Sequence, residues 1–200
     1  MYWIIQTIGY MAMACSITSI QQKTHKKILV FQALANTFFG IQYFALGAYV
    51  GAALNLVALI RSLIFFNHGK KWADHAIWPW VFCATFVLFG IFTYNLPQSV
   101  TPLFGFNSLV DNKDIVVKIL PVIPVIGNVI NTFSFASTNP TFTRITFMLS
   151  SPSWIIYSFI SGSWGAFINE CFTMTSTIIA IIRFDVLKKV KSTQKQIDIK

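Results

Sequence analysis

Seven stretches of the chain are dominated by apolar residues, at roughly 2–20, 28–46, 49–66, 77–94, 115–135, 142–160 and 163–184. Each is about 18–22 residues long. At 1.5 Å per residue, a helix of that length matches the roughly 30 Å hydrocarbon core of a bilayer. Apolar positions do not alternate with polar ones: "VGAALNLVALIRSLIFF" has no period of two. That excludes the alternating ten-residue strands of a membrane barrel and leaves helices.

Composition sharpens this picture. Hydrophobic residues make up 55% of the 200, charged residues only 10%, and mean hydropathy is +0.64. Soluble domains carry about 25% charged residues, so this chain cannot cover a water-facing surface. The expectation is an integral membrane protein, with the lipid bilayer as its principal partner and almost nothing outside it. Cys15, Cys83 and Cys171 fall inside separate stretches without metal or redox spacing, and read as buried structural thiols. No cofactor is implied. No Lys or Arg precedes "MAMAC", so residues 2–20 read as a retained span rather than a signal peptide.

Charge supplies an orientation. Lys23, Lys26 and Lys27 follow the first stretch, Lys70 and Lys71 the third, and Arg144 opens the sixth. Lys188, Lys189, Lys191, Lys195 and Lys200 lie in the tail. The alternate connections are nearly bare of positive charge: "LGAY", "SGS", and a longer one holding Asp111 and Asp114 against Lys113, with Lys118 beyond. Positive residues stay on the cytoplasmic side, so the N-terminus is expected outside and the C-terminus inside. The net charge of +9 is then mainly a topology signal. The basic tail is expected to meet anionic headgroups, not nucleic acid.

The chain also repeats itself. Slid by 114 residues, "GIQYFALGAYVGAALN" falls on "WIIYSFISGSWGAFIN", matching Ile41 with Ile155, Tyr43 with Tyr157, Gly51 with Gly165, Ala52 with Ala166 and Asn55 with Asn169. At 118, Ile8-Gly9 falls on Ile126-Gly127, Ser16 on Ser134 and Ser19 on Ser137. The third helix of each unit ends in Ile-Arg, at Arg61 and Arg183. This predicts an all-α membrane protein of seven helices: a three-helix unit in 1–66, a linker helix and external loop in 67–114, a second three-helix unit in 115–184, and a basic cytoplasmic tail in 185–200. One helix between two units of three leaves them parallel, related by an axis along the membrane normal.

These residues carry a family resemblance. The plan, and "SPSWIIYSFISGSWGAFIN" in particular, resembles the SWEET-type sugar transporters and the wider PQ-loop superfamily. The whole chain, over about 5–185, is more similar to the bacterial YgjV-like inner-membrane family. That match is carried by "LPVIPVIGNVINTFSF", "SWIIYSFISGSWGAFINECF" and the "LIRSLI" and "IIRF" helix ends. The resemblance implies a multi-pass protein of the cell inner (cytoplasmic) membrane without an assigned substrate. The SWEET likeness would place substrate-facing asparagines at Asn55 and Asn169. The chain departs from that pattern in lacking a proline mid-way along its first stretch, whereas the fifth has Pro121 and Pro124.

Candidate chemistry is sparse. Asn55 and Asn169 lie about seven residues into their helices, about 10 Å below the outer surface. They read either as a paired hydrogen-bonding site for a polar solute or as glue between helices. Glu170, the acid of the last apolar stretch, has three readings: it titrates and couples transport to protons, it pairs with a neutral donor, or it lines a wet vestibule. Arg61 and Arg183 are expected to reach the cytoplasmic interface. Tyr43, Tyr157, Trp154 and Trp164 read as an interfacial belt, with Trp154 and Tyr157 as candidates for lining the vestibule. Gly47, Gly51, Gly162 and Gly165 read as turn and close-approach residues.

His25, His68 and His75 lack metal-ligand spacing, and no nucleophile–base pair or phosphate loop is present, so no enzyme is expected. The leading function is transport of a small polar solute, sugar-like or another metabolite, by alternating access. The alternative is a scaffold, receptor or assembly partner with the same fold. A homo-oligomer is compatible with either.

Overall fold

The computed structural model describes residues 2–20, 25–67, 69–73, 75–94, 103, 118–136, 140–180 and 182. Among these there are seven long helices and no strands: α1 (Tyr2–Ile20), α2 (His25–Ala45), α3 (Tyr49–Phe66), α4 (Trp78–Tyr94), α5 (Val122–Ala136), α6 (Pro140–Ile160) and α7 (Trp164–Ala180). Lys23, Asp111, Lys113, Asp114 and everything from Arg183 onward fall outside the described residues, as do the side chains of Lys26, Ser134 and Arg144.

Six helices begin within about three residues of the expected apolar stretches. The fifth was expected from 115: residues 115–117 lie outside the described residues, 118–119 are helical, and after a turn at 120–121 the long helix starts at Val122. Pro121 and Pro124 give the reason, because proline lacks the N–H that a helix interior needs and is tolerated only in the first turn. Its 15 residues are correspondingly short. α3 alone among the described helices is long and apolar enough to cross a membrane by the usual window test. Trp78–Phe92, Val122–Phe133 and Ile145–Ile160 are shorter apolar helices.

The bundle is inverted in polarity relative to a water-soluble one. Trp80, Leu88 and Phe92 on α4 are 66%, 64% and 77% exposed. Gln6, Gln42, Thr132, Ser151, Ser158 and Ser163 are buried. Lipid tails are as apolar as leucine, so such a bundle coheres by close packing and internal hydrogen bonds rather than by hiding apolar surface.

α2 packs against both α1 and α3, and α6 against both α5 and α7. α1 also lies on α7, α3 on α5, and α4 on both α3 and α5. Two buried apolar clusters result. One joins Ala12, Phe39 and Tyr43 to Tyr157 and Ala166; the other gathers Val50, Leu54 and Phe65 around Phe82 and Phe86. Trp154 packs against both.

Two tight turns connect α2 to α3 and α6 to α7. Each has three residues, Leu46-Gly47-Ala48 and Ser161-Gly162-Ser163, with the glycine left-handed at φ 75° and 72°. The closing bonds correspond too: Ala48 N donates to the Tyr43 carbonyl and Ser163 N to the Ser158 carbonyl. Only glycine adopts this φ without steric penalty, which ends each helix at that point. The turn glycines, like the starts of α3 and α7, stand 115 residues apart, one more than the offset that aligns the two asparagines.

Candidate functional site

The polar side chains around the two turns form one connected network. Gln6 on α1 donates from Nε2 to the Gly162 carbonyl (2.8 Å), and its Oε1 accepts from Trp164 N (3.1 Å) and Gln42 Nε2 (3.1 Å). Gln42 on α2 accepts from the Ser163 hydroxyl at 2.8 Å. The Tyr43 and Ser158 hydroxyls share a hydrogen bond of 2.8 Å. The Tyr157 hydroxyl accepts from Gly51 N at 2.7 Å and donates to the Ala48 carbonyl at 3.4 Å.

Every bond in this set except that between Gln6 and Gln42 joins an element of the first half to one of the second. All of these side chains are buried, so each group relies on the others in place of water. Close approach is made possible by small residues. A methyl on Gly165 would overlap the Gly9 backbone, and one on Gly9 would overlap the Gln42 amide.

The predicted site residues divide into three groups. Tyr43, Trp154 and Tyr157 come together as a ring cluster, with centroids 5.4–6.2 Å apart. Tyr43 and Tyr157 are fully buried and hydrogen-bonded across the halves, so for these two the interfacial-belt reading is overturned.

Asn55 is also buried, but its Nδ2 donates to the Gly51 carbonyl one turn back in its own helix (2.8 Å), while its Cβ faces Gly40 of α2. It therefore touches the ring cluster through Gly51, whose N–H holds Tyr157.

Asn169 and Glu170 are neighbours on α7. The Asn169 amide reaches Glu170 Oε1 at 3.4 Å, and Ser151 of α6 lies beside the same carboxylate. Asn169 Oδ1 is buried without a hydrogen-bond partner.

One expectation fails outright. Arg61 does not reach an interface: it is 4% exposed, donates to Thr132 Oγ1 on α5 at 3.0 Å, and lies over the Phe86 ring of α4 at 5.3 Å. Its long stem and planar head fill the joint between α3, α4 and α5, which a snorkelling side chain would leave empty.

Gln6, Gln42, Ser158 and Ser163 were absent from the sequence-derived candidates. A glutamine embedded in an apolar helix, present in both α1 and α2, is the signal that would have found two of them. Pro152 inside α6 is a further one: it withholds a backbone donor from the residue 148 carbonyl, next to Ser150 and Ser151.

A helical bundle with apolar outer faces and a hydrogen-bonded interior is the signature of a membrane protein. The family model described as a bacterial inner membrane protein, YgjV type, matches residues 3–109 and 115–188, and the chain belongs to that family. It is 22% identical over 188 residues to the inner membrane protein YgjV of Escherichia coli (strain K12), covering 94% of this chain and 88% of that protein. No solved structure matches the chain.

Proposed function

We propose that the chain crosses the inner membrane seven times, N-terminus outside, as two parallel three-helix repeats joined by α4. In this reading it carries a small polar solute, sugar-like or another metabolite, by rocking one repeat against the other. The carrying observation is the symmetry of the polar network under the turn register. At an offset of 115, Gln42 corresponds to Tyr157 and Ala48 to Ser163. The Gln42–Ser163 contact is then the image of the Tyr157–Ala48 contact, and Tyr43–Ser158 is its own image. Contacts between counterparts, made reciprocally, are what a two-fold axis between related units produces. The α1–α7 and α3–α5 contacts form a matching pair.

The same register changes the proposed solute site. A one-residue slip turns a helix face by about 100°, so Asn55 has Glu170 rather than Asn169 as its counterpart. Asn55, Asn169 and Glu170 are proposed to meet the solute below the ring cluster of Tyr43, Trp154 and Tyr157, with the hydrogen-bonded latch of Gln6, Gln42 and Ser163 closing the outer end. Each latch group can exchange its partner for water when the repeats part, so opening leaves no buried polar atom stranded.

Reconstitution tests this. The native cysteines are replaced, Gln42→Cys and Ser163→Cys are introduced, and the protein is placed in liposomes with radiolabelled hexoses, disaccharides, polyols and amino acids. Saturable uptake of one of these, blocked by a short bifunctional thiol cross-linker, is the expected result. Uptake unaffected by a completed cross-link would overturn the rocking mechanism. No uptake across the panel, with a protein partner co-purifying in its place, would favour a scaffold.

A further inference from the structure

The most unusual chemistry among the described residues lies between α6 and α7. Glu170 is a carboxylate that the Asn169 amide reaches and Ser151 lies beside, and among the described residues no Lys or Arg pairs with it. Beside it, Asn169 is 4% exposed and its Oδ1 is an acceptor sealed from solvent with nothing to accept from. A half-buried carboxylate and a buried orphan carbonyl are both acceptors, and one bound cation would satisfy both at once. Ser151 is 1% exposed and its hydroxyl offers a third oxygen. Pro152 follows it directly, and leaves the carbonyl of residue 148, one turn away, without its helical donor.

We propose that Asn169 Oδ1, the Glu170 carboxylate and the Ser151 hydroxyl form a binding site for a monovalent alkali cation, sodium in particular. The donors are all hard oxygens, which suit alkali and alkaline-earth ions and not the soft transition metals. No group of three His, Cys, Asp or Glu that would favour such a metal occurs among the described residues. One carboxylate balances one positive charge. A divalent ion there would leave a net charge buried in a low-dielectric surrounding, where it is poorly tolerated. α6 runs on through Pro152, so the proline frees one carbonyl without breaking the helix. Among the described residues, the titratable side chains within reach of the Glu170 charge are Tyr43 and Cys171. The site stands whether or not the chain moves a solute, so failure of every uptake assay leaves it intact.

The test is the thermal midpoint of the purified full-length protein in detergent, followed by tryptophan fluorescence. Sodium chloride is exchanged for potassium or N-methyl-D-glucamine chloride at constant ionic strength. The expected result is a saturable rise in midpoint with sodium. That rise should vanish in Glu170→Gln, and its half-saturating concentration should increase about tenfold in Ser151→Ala. Asn169→Asp, which adds a second carboxylate, should switch the response from sodium to calcium. A wild-type midpoint indifferent to the cation, but rising as pH falls in a way that Glu170→Gln abolishes, overturns the proposal and assigns the counter-charge to a proton. Should Glu170→Gln not yield folded protein, the wild-type titration with Ser151→Ala and Asn169→Asp decides alone: a sodium response unchanged in both also overturns it.

Discussion

Replacing Gly51 with alanine probes the joint between the halves. The new methyl would sit 2.7 Å from Tyr157 Cε1, 2.8 Å from the Tyr157 hydroxyl and 3.0 Å from Tyr43 Cγ. Neither ring has room to retreat, because both are fully buried. Overpacking of this sort costs about 1–3 kcal/mol. Displacing Tyr157 also breaks its 2.7 Å bond from Gly51 N, worth about 1 kcal/mol. Alanine returns about 0.8–1.0 kcal/mol of helix propensity, so the net loss is about 1–3 kcal/mol. At about 2–4 °C per kcal/mol for a chain of this size, the thermal midpoint should fall by several degrees.

Gly40→Ala is the matched control. It makes the same chemical change in the neighbouring helix, but its methyl would lie 3.5 Å from Asn55 Cβ, an ordinary contact. It should be neutral or stabilise by up to about 1 kcal/mol. Midpoints of both variants in detergent, with a Tyr157→Phe double-mutant cycle, measure the coupling. Equal effects at Gly40 and Gly51, or a Gly51→Ala protein as stable as wild type, would refute the packing argument.

Three other outcomes are expected. Tyr157→Phe leaves Gly51 N and the Ala48 carbonyl without the hydroxyl they share, and should lower stability in denaturant titrations by about 1–3 kcal/mol. Arg61→Ala removes the Thr132 bond, the contact with the Phe86 ring and a buried stem, and should destabilise by about 2–5 kcal/mol; a loss below about 0.5 kcal/mol would restore the interfacial picture of this residue. Gln42→Leu keeps much of the volume but strands the Ser163 hydroxyl and leaves Gln6 Oε1 with Trp164 N alone, so single cysteines near the turns should label faster with a membrane-impermeant maleimide than in the wild-type background.

Much of the fold was legible because each long apolar run forms one helix and the polar or glycine-bearing stretches between them end it. α3 was expected at 49–66 and is found there. α5 was overextended because hydropathy counts Pro121 as one more apolar residue, while the backbone counts a missing donor. The site was less legible. Residue matching favoured an offset of 114 because Gly51, Ala52 and Asn55 recur, yet the turns follow 115, since a left-handed glycine fixes where a helix stops more firmly than a recurring side chain does.

Arg61 looked like a surface residue from its position near a helix end, and nothing local announces the Thr132 and Phe86 that receive it, which come from helices 71 and 25 residues further along. Tyr43 and Tyr157, expected in an interfacial belt, are buried between the two halves. Aromatic type alone does not distinguish a headgroup anchor from a ring whose hydroxyl finds its partner in the other half of the molecule.

The brevity of the two glycine turns governs how the chain must be made. Three residues span at most about 11 Å when fully stretched, about a third of the hydrocarbon thickness. The end of α2 and the start of α3 are therefore held at one end of the bundle, as are those of α6 and α7. Under the seven-span topology proposed above, neither partner could be reoriented independently, and each pair would enter the membrane as a single hairpin. In that topology a misplaced α2 would carry α3 with it, so whatever directs the first helix of a pair directs the second as well.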